Sequence, residues 1–523
     1  MKDKILVSIT MLVKNSERHL EQVLHSYAEF AEIIVLDNGS TDNTIVIAER
    51  FDNVRVYRSE FIGFGPLKNL AASHARYDWI LNMDSDEVMT PELLLRIKQI
   101  DYNNKNIIYG MLCLNHYRGR VIKACGWYPN IVKRLYNKTV VSFDQKQVHE
   151  SLQYKGNDVK EVIFKEHYLH YSFDGADDLI RKLQHYTSLY AEQMRLRKKA
   201  SVLKGVTHGM FGFFKHYFLK KGIFYGADGF VIASANAMGS YYKYVKLAEA
   251  NQRLDVSLLI TTYNRVDALE AVLVSVLHQK KLPFEVIVAD DGSREDTIEL
   301  VKKYQAIFPV PLKHAWQEDN GFRLSESRNR GLALCEGEYV VMIDGDMVLH
   351  PMFISDHIAN AKKGYFVQGG RVMFNEKKTK EYLASSCTYK QIKWYQPNIE
   401  TRFEKRLSAC HLPWLNRLIQ KSIDYSHKGI RGCNMAFFIE DVKSINGFNN
   451  EFVGWGREDS EFVERMFNKG VKRNNIKYSA IAYHLYHKEE QRSSLPENDQ
   501  LLKDTISKKS SYCENGLNQF LIK

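Results

Sequence analysis

The sequence predicts an α/β protein: two doubly wound mixed sheets joined by a helical segment. Two observations predict it. Apolar β-rich runs alternate with segments of helical spacing from Leu6 onward, the pattern of a mostly parallel sheet flanked by helices. The same order then recurs from Val256. Asp37-Asn-Gly-Ser-Thr-Asp-Asn-Thr44 aligns without a gap on Asp290-Asp-Gly-Ser-Arg-Glu-Asp-Thr297. Lys68-Asn69 and Arg328-Asn329 each begin sixteen residues before an Asp-x-Asp, at Asp84 and Asp344. Chance does not align three segments in register, so the chain contains two copies of one domain. Its 523 residues also exceed what one core ordinarily holds.

In the first copy, Leu6–Leu12 reads as a strand, and a helix follows with Leu20, Val23, Leu24 and Tyr27 on one face. Ile33–Leu36 is a second strand running into the turn-rich Asp37–Thr44. After Val54–Tyr57 and a helix ending at His74, the strand Tyr77–Met83 leads to Asp84-Ser85-Asp86-Glu87. In the second copy, Val256–Thr261 precedes a helix whose Asp267 and Glu270 have capping-box spacing. Val286–Ala289 runs into Asp290 and Asp291, and the buried run Val340–Ile343 ends at Asp344-Gly-Asp346. Between the copies, 174–200 and 232–250 read as helices. Met210–Tyr225 mixes aromatics with lysines, which fits either packing between domains or a membrane-surface patch. The expected boundaries are 1–165, 166–252, 253–490 and a polar, loosely packed tail, 491–523.

A hydrophobic content of 45% and a charged content of 26% are those of a globular chain. Seven scattered cysteines with no Cys-x-x-Cys point to a reducing compartment and away from a disulfide framework or zinc site. Met1-Lys-Asp-Lys runs straight into a strand, so no signal peptide is expected, and no apolar run reaches membrane-spanning length. The net charge of +11 suits an anionic partner. A phosphorylated substrate and a membrane surface fit; nucleic acid rests on charge alone and is not expected.

The chemistry concentrates where strands leave the sheet, the place where open α/β sheets bind ligands. In an extended chain residues i and i+2 face one side, so Asp344 and Asp346 can both face one ion, as can Asp84 and Asp86. Hard carboxylate ligands suit Mg²⁺ or Mn²⁺ shared with substrate phosphates. Lys68 and Arg328 can add phosphate contacts. Further on lie Gly454-Trp455-Gly456-Arg-Glu458-Asp459 and His484-x-x-His487.

On these residues both copies resemble family 2 glycosyltransferases of the GT-A fold, over roughly 4–160 and 255–490. The resemblance implies that Asp37, and Asp290 or Asp291, contact the nucleotide of a UDP-sugar donor. It implies that Asp84 and Asp86, and Asp344 and Asp346, hold the metal that bridges the donor diphosphate. The Trp-Gly-x-Glu-Asp run resembles that of β-galactosyltransferase and chondroitin-polymerase-like members. There Asp459 would be the general base of an inverting transfer, Glu458 would grip the acceptor, Trp455 would stack on a sugar, and His484 and His487 would complete the metal site. The first copy carries instead Gly126-Trp127-Tyr-Pro129, Lys133-Arg134-Leu-Tyr136 and Val148-His149-Glu150. These resemble a lipopolysaccharide inner-core glucosyltransferase branch, which implies Glu150 as base and His149 near the acceptor. The tandem arrangement implies a bifunctional hexosyltransferase. It would move glucose from UDP-glucose to a lipid-linked, heptose-containing core at the inner leaflet, as a cytoplasmic protein peripheral on the inner membrane. A capsule or glycosaminoglycan-like polymerase with two alternating sites, and a single active second domain beside a binding domain, are the alternatives.

Overall fold

A computed structural model describes residues 4–145, 151–154, 158–384, 388–399, 406–419, 422–423, 429–488 and 493–521. The chain divides into two compact units: residues up to Ala191 with Ser201–Lys246, and Glu192–Ala200 with Leu247 onward.

The first unit contributes β1 (Ile5–Val13), β2 (Phe30–Asp37), β3 (Val54–Arg58), β4 (Trp79–Asn82), β5 (Glu87–Met89), β6 (Ile107–Tyr117), β7 (Arg120–Val121), β8 (Ile131–Asn137), β9 (Val141–Phe143), β10 (Leu152–Tyr154) and β11 (Lys160–Phe173). Its main sheet runs β3-β2-β1-β4-β8-β6-β11-β5, with β7 paired to β6. The first four strands are parallel. β8 then enters antiparallel to β4.

The second unit contributes β12 (Val256–Thr262), β13 (Glu285–Asp290), β14 (Leu312–Trp316), β15 (Tyr339–Asp344), β16 (Met347–Leu349), β17 (Tyr365–Gln368), β18 (Val372–Met373), β19 (Ser422–Ile423), β20 (Asn434–Phe438), β21 (Lys472–Asn475) and β22 (Ala482–His484). The order β14-β13-β12-β15-β20-β17-β21-β19 repeats the first unit's plan, parallel through β15 and antiparallel at β20. β16, β22 and β18 form a separate small sheet.

β15 shows why these residues make a central strand. Tyr339 to Ile343 are all fully buried. Alternation sends Tyr339, Val341 and Ile343 into one core, and Val340 and Met342 into the core on the opposite face. A strand covered on both sides has to be apolar throughout. Its first exit from the core is Asp344.

The expected boundaries shift in two places. β11 continues to Phe173 in the first unit's sheet, and the helices Val202–Phe214 and Gly226–Gln252 follow it. The tail is not loosely packed. Its helix Leu495–Lys508 lies against the helix Glu458–Asn468, with Thr505 Oγ1 donating to Glu461 Oε1 at 3.2 Å. Cys513 and Leu517 are buried, and Asn446 Nδ2 donates to Cys513 O at 2.7 Å. A few buried positions dispersed in a polar sequence leave no periodic signal to read.

Candidate active sites

In the second unit a cleft of about 1350 Å³ opens at the carboxyl ends of β12 and β15. Thr261, Asp291, Arg328, Asp344, Asp346, Trp455, Glu458, Asp459, His484 and His487 line it. The turn after β15 is tight: Gly345 N donates to Thr261 O at 2.6 Å, and a Cβ at Gly345 would lie 2.6 Å from that oxygen. Asp344 Oδ1 accepts from Thr261 Oγ1 at 3.1 Å.

β16 pairs with β22 so that Met347 faces His484. That register brings His484 Nε2 to 3.5 Å and His487 Nε2 to 3.3 Å from Asp346 Oδ2. These three side chains form a group with metal-ligand spacing. His487 Nδ1 donates to Lys488 O at 2.8 Å, which leaves Nε2 for the cleft. Burial and the charge on Asp344 push Asp346 up to about 7, and its buried Oδ1 has no hydrogen-bond partner among the described residues. Burial and the neighbouring Arg371 push His484 down to about 3, so its ring is neutral. A carboxylate oxygen without a partner among the described residues, beside the neutral imidazole of His484 and the Nε2 of His487, fits a divalent ion, and the mixed donor set suits Mn²⁺ better than Mg²⁺.

The acceptor side rests on the Gly454–Glu458 turn. Gly454, Gly456 and Arg457 all have positive φ, and a Cβ at Gly454 would lie 2.3 Å from Ser494 Oγ. This turn leaves Trp455 39% exposed in the cleft and starts the helix Glu458–Asn468 with two acids. Asp459 is held from both sides. Arg328 Nη1 donates to Oδ1 at 2.7 Å, and Gly432 N donates to Oδ2 at 2.6 Å. A Cβ at Gly432 would lie 2.4 Å from Asp459 Oδ1, so only glycine brings that N–H so close. Burial and the charge on Asp459 push Glu458 up to about 7, and its buried Oε2 has no hydrogen-bond partner among the described residues.

Arg328 lines the cleft. It is 1% exposed and lies among carboxylates, with Asp344 Oδ1 3.6 Å and Glu458 Oε1 3.5 Å away. Asp290 and Asp291 separate cleanly. Asp290 is fully buried, accepts from Ser293 N at 2.8 Å and sits 3.0 Å from His314 Nε2, so it holds the turn. Asp291 accepts from Gln317 Nε2 and Arg323 N and lines the cleft.

The first unit repeats this plan with other residues. Asp37 Oδ1 accepts from Ser40 N at 2.9 Å, as Asp290 does from Ser293, so Asn38 takes the position of Asp291. Arg134 on β8 pairs with Asp84 at 3.0 Å and with the buried Glu87. Desolvation opposes the charge on Asp84, but Arg134 and Lys68 outweigh it and hold the carboxyl below the usual range. Lys68 itself is 8% exposed and lies over the Phe143 ring. His149 and Glu150 lie outside the described residues.

One residue escaped the sequence reading. β5 pairs with β11 so that Glu87 faces His170, as Met347 faces His484. His170 Nε2 lies 3.2 Å from Asp86 Oδ2, and its Nδ1 lies 2.9 Å from Asn115 Oδ1. Burial lowers its pKa, but the bonds to Asp86 and Cys113 and the charges on Asp86 and Glu87 together outweigh that and raise it to about 10. The signal was present as a second His-x-x-His, His167–His170. In spatial register, however, it is His170 that matches His484, and His167 lies 3.2 Å from the Tyr128 hydroxyl.

Comparison with known proteins places this arrangement. Residues 8–120 and 257–427 match the family model "Glycosyl transferase family 2", and 415–488 match "N-terminal domain of galactosyltransferase". Hyaluronan synthase of Pasteurella multocida is 28% identical over 255 residues, 46% of this chain and 26% of that protein. Chondroitin synthase of the same species is 28% identical over 256 residues, with the same coverage. A glycosyltransferase of Rickettsia typhi is 30% identical over 256 residues, 46% of this chain and 87% of that one. The match thus spans about a quarter of the length of either synthase. More than half of the chain lies within the family model, in two stretches that coincide with two sheets of one GT-A plan, and the chain belongs to glycosyltransferase family 2.

Proposed function

We propose that both units transfer hexoses, with inversion, from UDP-sugars to a lipooligosaccharide core acceptor. UDP-glucose is the proposed donor, a divalent ion (Mn²⁺ before Mg²⁺) the cofactor, and a heptose-containing lipid-linked oligosaccharide at the inner leaflet the acceptor. The observation that carries this is the repeated pairing of an Asp-x-Asp with a histidine through one strand register, Asp86 with His170 and Asp346 with His484. A domain kept only for binding has no need of it.

In the second unit Asp344, Asp346, His484 and His487 would hold the ion, which supplies charge stabilisation for the departing diphosphate. Asp291 meets the nucleotide from the β13 turn. Trp455 offers an apolar face to the acceptor sugar. Inversion needs a base on the face opposite the leaving group, and Asp459 takes the acceptor hydroxyl's proton there, oriented by Arg328 and Gly432. Glu458 grips the same acceptor through its unpaired Oε2. In the first unit Asp84 and Asp86 would hold the ion, and His170, protonated in its pair with Asp86, would join them only by giving up that proton. Lys68 and Arg134 balance the carboxylates, and Asn115 fixes the ring of His170.

The test is separate substitution of Asp84→Ala and Asp344→Ala in the full chain, with mass spectrometry of a truncated core glycan after incubation with Mn²⁺ and UDP-sugars. Each variant should lose one added sugar and keep the other. No transfer by the parent protein to the core defeats the acceptor assignment. Both transfers surviving Asp84→Ala would leave the first unit a binding domain.

A second reading is favoured by the hyaluronan and chondroitin synthases among the relatives. Two sites acting alternately would build a polysaccharide, and the product would then be a ladder rather than one or two added sugars.

A further inference from the structure

The helix Val202–Phe214 is built inside out for a protein in water. Its buried residues are Gly205, Gly209 and Gly212, which lie against the helix Gly226–Gln252. A Cβ at Gly205 would lie 3.0 Å from Tyr241 O, and one at Gly209 3.2 Å from Tyr241 Cβ. The large apolar side chains face the other way: Leu203 is 73% exposed and Met210 71%. The surface continues beyond the helix through a π-helical turn, Lys215–Leu219, and a 3₁₀ turn, Gly222–Tyr225. There Phe218 and Leu219 are exposed, and Phe224 is 77% exposed. Patches of this extent mark an interaction surface. Its charge is one-sided. Residues 202–225 contain Lys204, Lys215, Lys220 and Lys221 and no Asp or Glu.

The same segment grips the loop around Cys125. Cys125 N donates to Lys220 O at 2.8 Å, and His216 Nδ1 donates to Cys125 O at 2.6 Å. Tyr225 accepts from Lys123 N through its hydroxyl at 3.0 Å. The loop held in this way carries Trp127, whose carbonyl accepts from Asn115 Nδ2 at 3.4 Å. Asn115 in turn holds His170 beside Asp86.

We propose that the Val202–Tyr225 segment docks on an anionic phospholipid bilayer and so holds the Cys125–Trp127 loop, and through Asn115 the Asp86–His170 pair, near the headgroup plane. The proposal rests on the lipid-linked acceptor of the preceding section. Apolar side chains would enter the interface while the lysines meet lipid phosphates, the arrangement of a helix lying on a membrane. Among the described residues no helix is long and apolar enough to cross one.

The test is flotation of the full chain with vesicles of phosphatidylethanolamine containing a quarter phosphatidylglycerol, against vesicles of phosphatidylcholine alone. Two variants accompany it: L203S/M210S/F224S and K215E/K220E. The expected result is flotation with the anionic vesicles. The triple variant should reduce it at least tenfold, and the charge reversal about fivefold or more for each lysine. Transfer to a soluble, delipidated core oligosaccharide should be unchanged in both variants. No flotation by the parent protein overturns the proposal, as does equal flotation by the triple variant. Concentration-dependent dimers abolished by the triple variant, without vesicle binding, would assign the face to a second copy and also overturn it. If the parent floats yet transfers nothing to a lipid-linked acceptor, the docking face stands and the function proposed above fails.

Discussion

Arg328 joins the two sides of the second site through one buried guanidinium. It donates to Asp459 at 2.7 Å and lies 3.6 Å from Asp344. If it serves to orient Asp459, Arg328→Lys should lower kcat and leave the donor KM nearly unchanged, because a lysine lacks the planar fork that reaches both acids. Loss of a charge-assisted bond of about 1.5–3 kcal/mol predicts about a ten- to hundredfold fall. A rise in donor KM at constant kcat would return Arg328 to the phosphate role that its sequence position implies. Asp459→Asn should cost about 10²- to 10⁴-fold in kcat, the range for a general base. These carboxylates were legible because each lies in a short motif. His170 was not. Its role depends on pairing with Glu87, 83 residues earlier, and no local pattern encodes that register. Gly432 was visible as a glycine, but that its N–H holds Asp459 emerges only in three dimensions.

The helix Glu458–Asn468 delivers both acceptor-side acids from its first turn, so its anchorage matters as much as its sequence. Arg465, fully buried, supplies that anchorage. Its Nε and Nη2 each donate to Glu461 at 2.7 Å, and Nη1 donates to Ile445 O at 2.6 Å and Gly447 O at 2.8 Å. Arg465→Ala would leave Glu461 buried, charged and without its main partner, at a cost of about 3–5 kcal/mol. Chemical denaturation should show that loss. The double variant Arg465→Met with Glu461→Leu should recover most of it, since no charge is then stranded. Full stability in Arg465→Ala would remove this account of the helix. At the element scale the parallel strands were readable, because a strand covered on both faces has to be apolar, as β15 is. The helix Leu495–Lys508 was not. It touches the helix Glu458–Asn468 through positions such as Thr505, whose burial a polar sequence does not announce.

For the molecule as a whole, two sets of buried groups in the second unit pull its stability in opposite directions with pH. Burial lowers His357 to about 4; burial and His411 lower His350 to about 4. A histidine depressed on folding contributes stability that is present above its unfolded value near 6.5 and is lost as pH falls toward 4. At pH 5 that loss is about 2 kcal/mol for each ring. Asp346 and Glu458, each raised to about 7, act in the reverse sense. Their contribution is complete below their unfolded values and is lost as pH rises through 7. The two sets oppose each other in the melting curve of the parent protein between pH 5 and pH 7. Differences between variants expose the two sets. His357→Gln keeps an uncharged amide facing Asn434 and should gain about 2 kcal/mol relative to the parent on going from pH 7 to pH 5. Glu458→Gln should move oppositely, gaining on the parent as pH rises from 5 to 7. Mn²⁺ should break the balance as well, because an ion held at Asp346 keeps that carboxylate ionised and removes its proton-linked contribution. With Mn²⁺ present the parent's melting temperature should then fall on acidification from pH 7 to pH 5. A pH profile that Mn²⁺ leaves unchanged would contradict the ligand assignment, and variants that track the parent at both pH values would contradict the opposition of the two sets.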